Sequence, residues 1–270
     1  MEFITVFLAS LLSVFTPGGA ILDSSIENAF RSRLTAVEEL QIRIDNTPSY
    51  QIISGKVERV RFASRGVQLT PEIRLDVLEL ETDPLDVNWQ QLRAREGNLP
   101  QSFRKPIQAG VRLVLTEADV NQALRSPRIK ARIEQAVNRA LKNFPGTTAA
   151  GYELSDPEIE FLGGDRFRLQ LKLHQAEQEL KIDLESGLKV LAGKRLELVE
   201  PGVSLNDRPI PAVFVNGFAN RAKENLDLSK ILPPEITVRI LQLKLETDAI
   251  QVAAFLRVEA ASPLTTNQIE

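Results

Sequence analysis

No cysteine occurs in the chain, which excludes disulfides, thiolate nucleophiles and cysteine-ligated zinc. The absence is compatible with the cytosol and equally with an envelope space. There is one histidine, His174, too few for an imidazole metal cluster and without the context a Ser-His-acid triad needs, so it reads as an exposed strand-end residue. Glycine-rich phosphate loops, Gly-Lys-Ser/Thr and Gly-x-Ser-x-Gly are also missing. Gly18-Gly19 and Gly163-Gly164 read instead as a chain break and a hairpin turn. Aromatic residues are scarce and do not interleave with basic ones, and the net charge is −3, so nucleic acid is not an expected partner. Acidic residues are plentiful but scattered. Asp83 and Asp248 recur in similar surroundings, and a turn carboxylate explains each without a paired-acid site. With acid, base and nucleophile types sparse or unclustered, the chain is not expected to be an enzyme, and no cofactor or metal is expected.

A membrane-spanning run is missing too. Phe3–Phe15 is apolar or small throughout, but these thirteen residues make a helix of roughly 20 Å, short of a ~30 Å hydrocarbon core. Thr16-Pro17-Gly18-Gly19-Ala20 follows. Glu2 stands where an export signal carries positive charge, and Arg31 is the first basic residue. A cleaved signal, a retained membrane-dipping anchor and a buried or lipid-covering helix all remain open for residues 1–20. Residues 21–260 are expected to form one α+β domain, and the polar tail 261–270 to fray. Apolar content of 43% with 26% charged residues is that of a folded globular chain, which excludes wholesale disorder.

What is present is a phrase used twice. Ile73–Val87 (IRLDVLELETDPLDV) returns as Val238–Val252 (VRILQLKLETDAIQV), each just after a Pro-Glu-Ile. Both copies alternate apolar and polar residues, break at Thr-Asp, and alternate again, which predicts a β-hairpin at two places in a β-rich body. In each, the apolar face switches sides, at Val77/Leu78 and at Ile240/Leu241, which predicts a β-bulge and hence a curved strand. Further strands are predicted at 39–45, 56–62, 106–115, 158–162, 167–173, 179–184, 188–199 and 250–259, with turns at Gly163-Gly164-Asp165 and Ala192-Gly193. Helices are predicted from Asp23, with Ile26, Ala29, Phe30 and Leu34 on one face, and around Trp89 within 85–97. Another runs from Thr116, whose N-cap pairs with Asp119 at N3. The next runs from Ser126-Pro127 to Pro145-Gly146, and the last over 212–226.

Charge is uneven. Arg93–Lys142 holds eleven Lys/Arg and four Asp/Glu, a balance of +7 that leaves −10 on the rest. Arg125, Arg128, Lys130, Arg132, Arg139 and Lys142 face only Glu134. A basic amphipathic helix suits anionic headgroups, while the plainer alternative is a solvated helix face. The apolar stripe of the same helix, Ile133, Val137, Leu141 and Phe144, and Phe214 and Phe218 of the later one, are candidate groove residues; ordinary core is their alternative.

Five stretches, Ile26–Leu34, Arg43–Tyr50, Leu78–Pro84, Val114–Leu124 and Gln251–Val258, together with the basic helix and the late Phe-containing helix, carry a resemblance. The chain resembles the LmeA-like phospholipid-binding family, in particular its cyanobacterial-type members, over roughly residues 20–260. The resemblance implies an α+β fold with a curved, bulged antiparallel sheet packed along amphipathic helices, elongated and similar to tubular lipid-binding domains. It further implies binding of phospholipid, especially anionic, at a membrane surface, in envelope lipid homeostasis and without turnover. On this expectation Arg125, Arg128, Lys130, Arg132, Arg139 and Lys142 hold the headgroup and Ile133, Val137, Leu141, Phe144, Phe214 and Phe218 the acyl chains. The envelope or periplasmic side is implied. The N-terminus departs from the pattern, lacking a basic leader and a lipobox cysteine, so the cytoplasmic side stays open. The other reading of the residues is a membrane-anchored adaptor with a filled core whose sheet edge recruits a protein.

Overall fold

Period-two alternation governs most of the chain, and antiparallel strands carry most of the fold. The structure, a computed structural model, describes residues 36–88, 90, 103–141, 151–175 and 178–260. The first strands are β1 (Glu39–Asp45), β2 (Lys56–Val57), β3 (Arg59–Thr70), β4 (Ile73–Thr82), β5 (Leu85–Asp86) and β6 (Ile107–Thr116), with a short 3-10 helix at Ser49–Ser54. Helices α1 (Glu117–Arg125) and α2 (Pro127–Leu141) follow. The chain continues through β7 (Glu153–Gly163), β8 (Arg166–Gln175), β9 (Gln178–Leu191), β10 (Arg195–Leu205) and β11 (Arg208–Pro209). It closes with α3 (Ala212–Asn225), α4 (Leu228–Ile231), β12 (Ile236–Leu245) and β13 (Ala249–Val258).

The expected single sheet is divided. A large sheet of six strands has the order β1-β3-β4-β6-β13-β12, a small sheet of five has β11-β10-β9-β8-β7, and β2 pairs β5 alone. One rung of the large sheet shows why it buries a face: Ile42, Phe62, Leu80, Val111, Ala254 and Ile240 stand opposite one another across all its strands. Its core includes Val60, Phe62 and Ile107, and the β2–β5 pair adds Val57 and Leu85.

The two copies of the repeated phrase diverge. The second is a hairpin, β12–β13, with the predicted bulge: register shifts between Ile240 and Gln242, and Leu241 is turned out, 67% exposed. The first copy is neither bulged there nor a hairpin. Val77 and Leu78 pair in unbroken register with both neighbours. Burial changes sides along β4, with Leu75 buried on one face and Leu78 and Leu80 on the other while Glu79 and Glu81 are exposed, so the change of apolar side requires no extra residue. After Thr82 the chain leaves the sheet, and Leu85–Asp86 pairs with β2. Pro84 stands where the second copy has Ala249, and proline has no N–H for a ladder. Thr82 is buried, its Oγ1 accepting from Val60 N at 3.0 Å.

The helix predicted around Trp89 is corrected at its start: Leu85–Asp86 is strand and Val87 bridges Phe103. Trp89 and residues 91–102 lie outside the described residues, as do the N-terminal segment and helix (1–35), the end of the basic helix (142–150) and the tail (261–270). The strands read as 179–184 and 188–199 are instead β9, continuous through Gly187, and β10, joined by the predicted Ala192-Gly193 turn. The caps hold. Thr116 Oγ1 accepts from Asp119 N at 3.1 Å while Asp119 Oδ2 accepts from Thr116 N at 3.2 Å, and α2 opens at Pro127.

The sheets join along β12, whose outer edge meets both hairpin ends of the small sheet. Leu245 N donates to Asp165 Oδ1 at 2.8 Å, Asp165 N donates to Leu245 O at 3.1 Å, and Ile240 N donates to Gly193 O at 2.6 Å. Gly193 has φ +74°, and a Cβ there would lie 2.7 Å from Arg239 Cγ, so this contact requires glycine.

Candidate functional site

The small sheet has two unlike faces. One rung of the first face reads Val203, Leu184, Leu169 and Ile159. One rung of the second reads Glu185, Arg168 and Glu160. That second face is neutralised within itself: Arg168 pairs Glu160 at 2.8 Å and Glu185 at 3.3 Å, Arg166 pairs Glu185 at 2.9 Å, and Lys189 pairs Glu197 at 3.2 Å. Arg166 and then Arg168, hydrogen-bonded to Glu185, hold its carboxyl below the usual glutamate value. A face saturated with its own ion pairs is a solvated face.

The apolar face is covered by α2 at its β7 margin. Ile133, Val137 and Leu141 of α2 pack on Leu154, Leu171, Leu173, Leu180 and Ile182. Each side chain fully buried there contributes about 1.5–3 kcal/mol. Helix α3 runs along β10, with Val215 and Ala219 buried and Lys223 paired to Glu197 of the charged face. Lys223 and then Lys189 hold the Glu197 carboxyl below its ordinary value. Elsewhere on this face Phe167, Leu188, Val190, Leu196, Leu198 and Val203 are only half-buried, as are Leu169 and Ile182 beside α2, while Leu184 and Ser186 between them are buried. This leaves a half-buried apolar patch toward the β9–β10 turn.

Helices α1 and α2 also do something that no sequence pattern announced. Strand β7 is the outer edge of the small sheet, and side chains satisfy its outward backbone groups. Asn121 Nδ2 donates to Ile159 O and its Oδ1 accepts from Ile159 N, both at 2.8 Å. Asn138 makes the same pair of bonds to Tyr152 at 2.8 Å each. Glu117 accepts from Phe161 N at 2.7 Å and Glu134 from Leu154 N at 3.1 Å. The available signal was the i,i+4 spacing of Glu117/Asn121 and Glu134/Asn138, polar residues beside the apolar stripes, with asparagine a weak helix former.

The basic residues separate into two positions. Arg128, Arg132 and Arg139, four and seven residues apart, are exposed on the side of α2 away from its sheet-facing stripe, and Arg125 is exposed at the end of α1. Lys130 is half-buried on the sheet-facing side. Among the described residues none of these five forms an ion pair, whereas arginines of the strands are largely paired. Phe214 is 42% exposed on α3. Lys142, Phe144 and the side chain of Phe218 lie outside the described residues. The structure therefore brings Ile133, Val137, Leu141 and Lys130 together at one margin of the apolar face, and leaves Phe214 on the other helix.

His174 lies 2.7 Å from Ser155 Oγ through Nε2, on an exposed part of the small sheet. Among the described residues no carboxylate is hydrogen-bonded to its ring, so the pair lacks the orienting acid of a triad. Asp83 and Asp248 sit at opposite ends of the large sheet, past Thr82, which pairs Ala109, and before Ala249, which pairs Thr116, so they cannot act together. Among the described residues no acidic or histidine group could hold a metal, and no helix is long and apolar enough to cross a membrane.

The described residues thus form a mostly antiparallel α+β body with half-buried apolar side chains on one face of its small sheet. The chain belongs to the LmeA-like phospholipid-binding family, whose model matches residues 16–255. No curated protein and no solved structure matches the chain.

Proposed function

We propose that this protein binds phospholipid without turnover, holding the acyl chains along the half-buried apolar residues of the small sheet beside α2. The observation that carries the reading is that half-buried face, together with the family's phospholipid ligand. Toward the β9–β10 turn the half-buried side chains are Leu188, Val190, Leu196 and Leu198, separated from Leu169 and Ile182 by the buried Leu184 and Ser186. Ile133, Val137, Leu141 and Phe214 line the chains, and Phe144 and Phe218 join them. Lys130, on the flank of α2, meets the phosphate. The unpaired Arg125, Arg128, Arg132 and Arg139, with Lys142, supply the positive field that selects anionic headgroups. In this reading residues 21–260 act as one elongated, tubular-type unit in membrane or envelope lipid homeostasis. Recruitment of a protein along β7, as an adaptor would need, is disfavoured, because side chains already occupy that edge.

The test is native mass spectrometry with lipid extraction on protein purified without detergent. Near-stoichiometric phospholipid is expected. In R128E/R132E the retained lipid should lose its anionic bias: at about 1 kcal/mol per basic residue, two arginines correspond to roughly 30-fold in anionic affinity. The effect should fade at high salt. Empty protein that also takes no lipid from vesicles sinks the reading, and an unchanged bias at low salt removes the arginine row from the headgroup site.

A further inference from the structure

Three of the exposed large apolar residues belong to elements that converge at one corner, where the β9–β10 turn meets β12. Leu191, 42% exposed, ends β9; Leu241, 67% exposed, is the bulged residue of β12; Ile231, 53% exposed, ends α4. Backbone hydrogen bonds tie the three elements together. Ile240 N donates to Gly193 O at 2.6 Å, and Leu228 N donates to Lys194 O at 2.9 Å. The bulge matters here, because in-register pairing would not turn a leucine out of the sheet at this point. In the first copy of the phrase the aligned residue is Asp76.

The corner is also basic. Lys194, Arg195, Lys230 and Arg239 are exposed, and none forms an ion pair among the described residues. Asp227 is the one acid within residues 191–195, 227–231 and 239–241, and Glu197 of β10 is paired to Lys189 and Lys223, so four cations against one carboxylate leave these segments at +3. Asp227 is held below its ordinary value by the Ser229 hydroxyl first, then by Ser229 N, Lys230 and Arg195, so it stays ionised at neutral pH without cancelling the excess. Apolar side chains ringed by cations match the boundary between headgroups and acyl chains of an anionic bilayer. A protein interface core instead disfavours lysine.

The corner lies at the end of the apolar patch. On the apolar face the last rungs before the turn at Ala192-Gly193 are Leu188 with Leu198 and Val190 with Leu196; Leu191, paired with Arg195, closes the hairpin on the opposite face. We infer that this corner, with Leu191, Ile231 and Leu241 at its centre and Lys194, Arg195, Lys230 and Arg239 around them, docks the protein on an anionic membrane at the end of its half-buried apolar patch. The inference rests on the phospholipid reading. Bilayer contact at the corner and retention of lipid along α2 are separate steps, and separate variants report them.

The experiment uses full-length chain and flotation with vesicles of phosphatidylcholine doped with phosphatidylglycerol. L191S/L241S and, separately, K194E/K230E should each weaken vesicle binding by roughly tenfold or more, while thermal melting and lipid content by native mass spectrometry stay as in wild type. In W89F/L241W, the single tryptophan should shift blue on these vesicles and be quenched by lipids brominated on the acyl chain. Wild-type flotation by both double variants overturns the docking and assigns the corner to another partner, as does an unquenched L241W tryptophan on vesicle-bound protein. Wild-type protein that floats yet never carries or accepts lipid sinks the phospholipid reading and leaves the docking standing.

Discussion

Replacing Asn138 with alanine sets two effects of opposite sign against each other. Alanine is the better helix former by about 0.6 kcal/mol, so at position 138 of α2 the substitution taken as a helix change alone is stabilising. In the fold, however, Asn138 donates to Tyr152 O and accepts from Tyr152 N, both at 2.8 Å, and Tyr152 is 6% exposed. The variant leaves a buried N–H and C=O on the sheet edge without partners. At about 1–3 kcal/mol per orphaned group, reduced because water can reach the half-buried Asn138 position, the loss is roughly 2–4 kcal/mol. The net expectation is destabilisation of about 1.5–3 kcal/mol, or a melting decrease of about 3–12 °C for a domain of this size. N121A removes the same pair of bonds at Ile159. The two sites, Tyr152 just before β7 and Ile159 within it, lie seven residues apart, up to about 23 Å in extended chain, so their costs should add within about 0.5 kcal/mol. Urea denaturation followed by circular dichroism reads the shift in midpoint at constant slope. The double variant should also scatter light more steeply than in proportion to its concentration, because it frees an edge strand for pairing. N138A as stable as wild type, or more so, would refute the edge-capping account.

Two further expectations follow from charge. Asp119, 6% exposed, accepts from Arg74 at 2.9 and 3.2 Å and from Thr116 Oγ1 at 2.6 Å. D119A removes the cap and an ion pair, but Arg74 is one-quarter exposed and keeps Glu38 at 2.7 Å. The loss should therefore be about 2–4 kcal/mol, with part recovered in D119A/R74M, as read by denaturation of the double-mutant cycle. The second concerns acid. Glu185, Glu197 and Glu259 all titrate below the ordinary glutamate value through hydrogen bonds from Arg166, Lys223 and Arg257 respectively. A carboxyl with a depressed folded-state value contributes stability in full above its unfolded value and loses it as pH falls toward the folded one. Melting temperature should therefore hold at neutral pH and drop below the ordinary glutamate range, and E185Q should flatten that acid limb. A melting profile whose acid limb is identical in E185Q would remove these pairs from the account.

Much of the local structure was legible. Thr116 with Asp119, Ser126-Pro127, the Gly163-Gly164-Asp165 turn and the slip at Ile240/Leu241 each depend on residues within a turn of one another, and each stands where the sequence puts it. The misreadings concern partners. The slip read at Val77/Leu78 failed because a change of apolar side means a bulge only where one face of the strand is bare throughout, and β4 buries Leu75 on one face and Leu78 and Leu80 on the other. The first Thr-Asp phrase failed as a hairpin at Pro84, which the alternation around it concealed. Within the candidate site, the apolar stripe and the basic charge of α2 were readable from spacing. The capping roles of Asn121 and Asn138 were not, because they depend on an edge strand 14 to 38 residues further along the chain.

By itself the sequence determined an antiparallel, non-cysteine α+β chain, its helix starts, most of its turns, and a basic amphipathic helix followed by β structure. Those properties are local: period two, period 3.6, and the chemistry of caps and turns act over a few residues. Tertiary structure alone decided that the strands divide into two sheets and that one copy of the repeated phrase closes a hairpin while the other leaves its sheet. It also decided that Arg128, Arg132 and Arg139 face away from the small sheet while Lys130 faces toward it, and that Leu191, Ile231 and Leu241 belong to one corner. Each of these depends on which distant segments pack together. That choice is made by the summed burial and hydrogen bonding of the whole chain, which no short window contains.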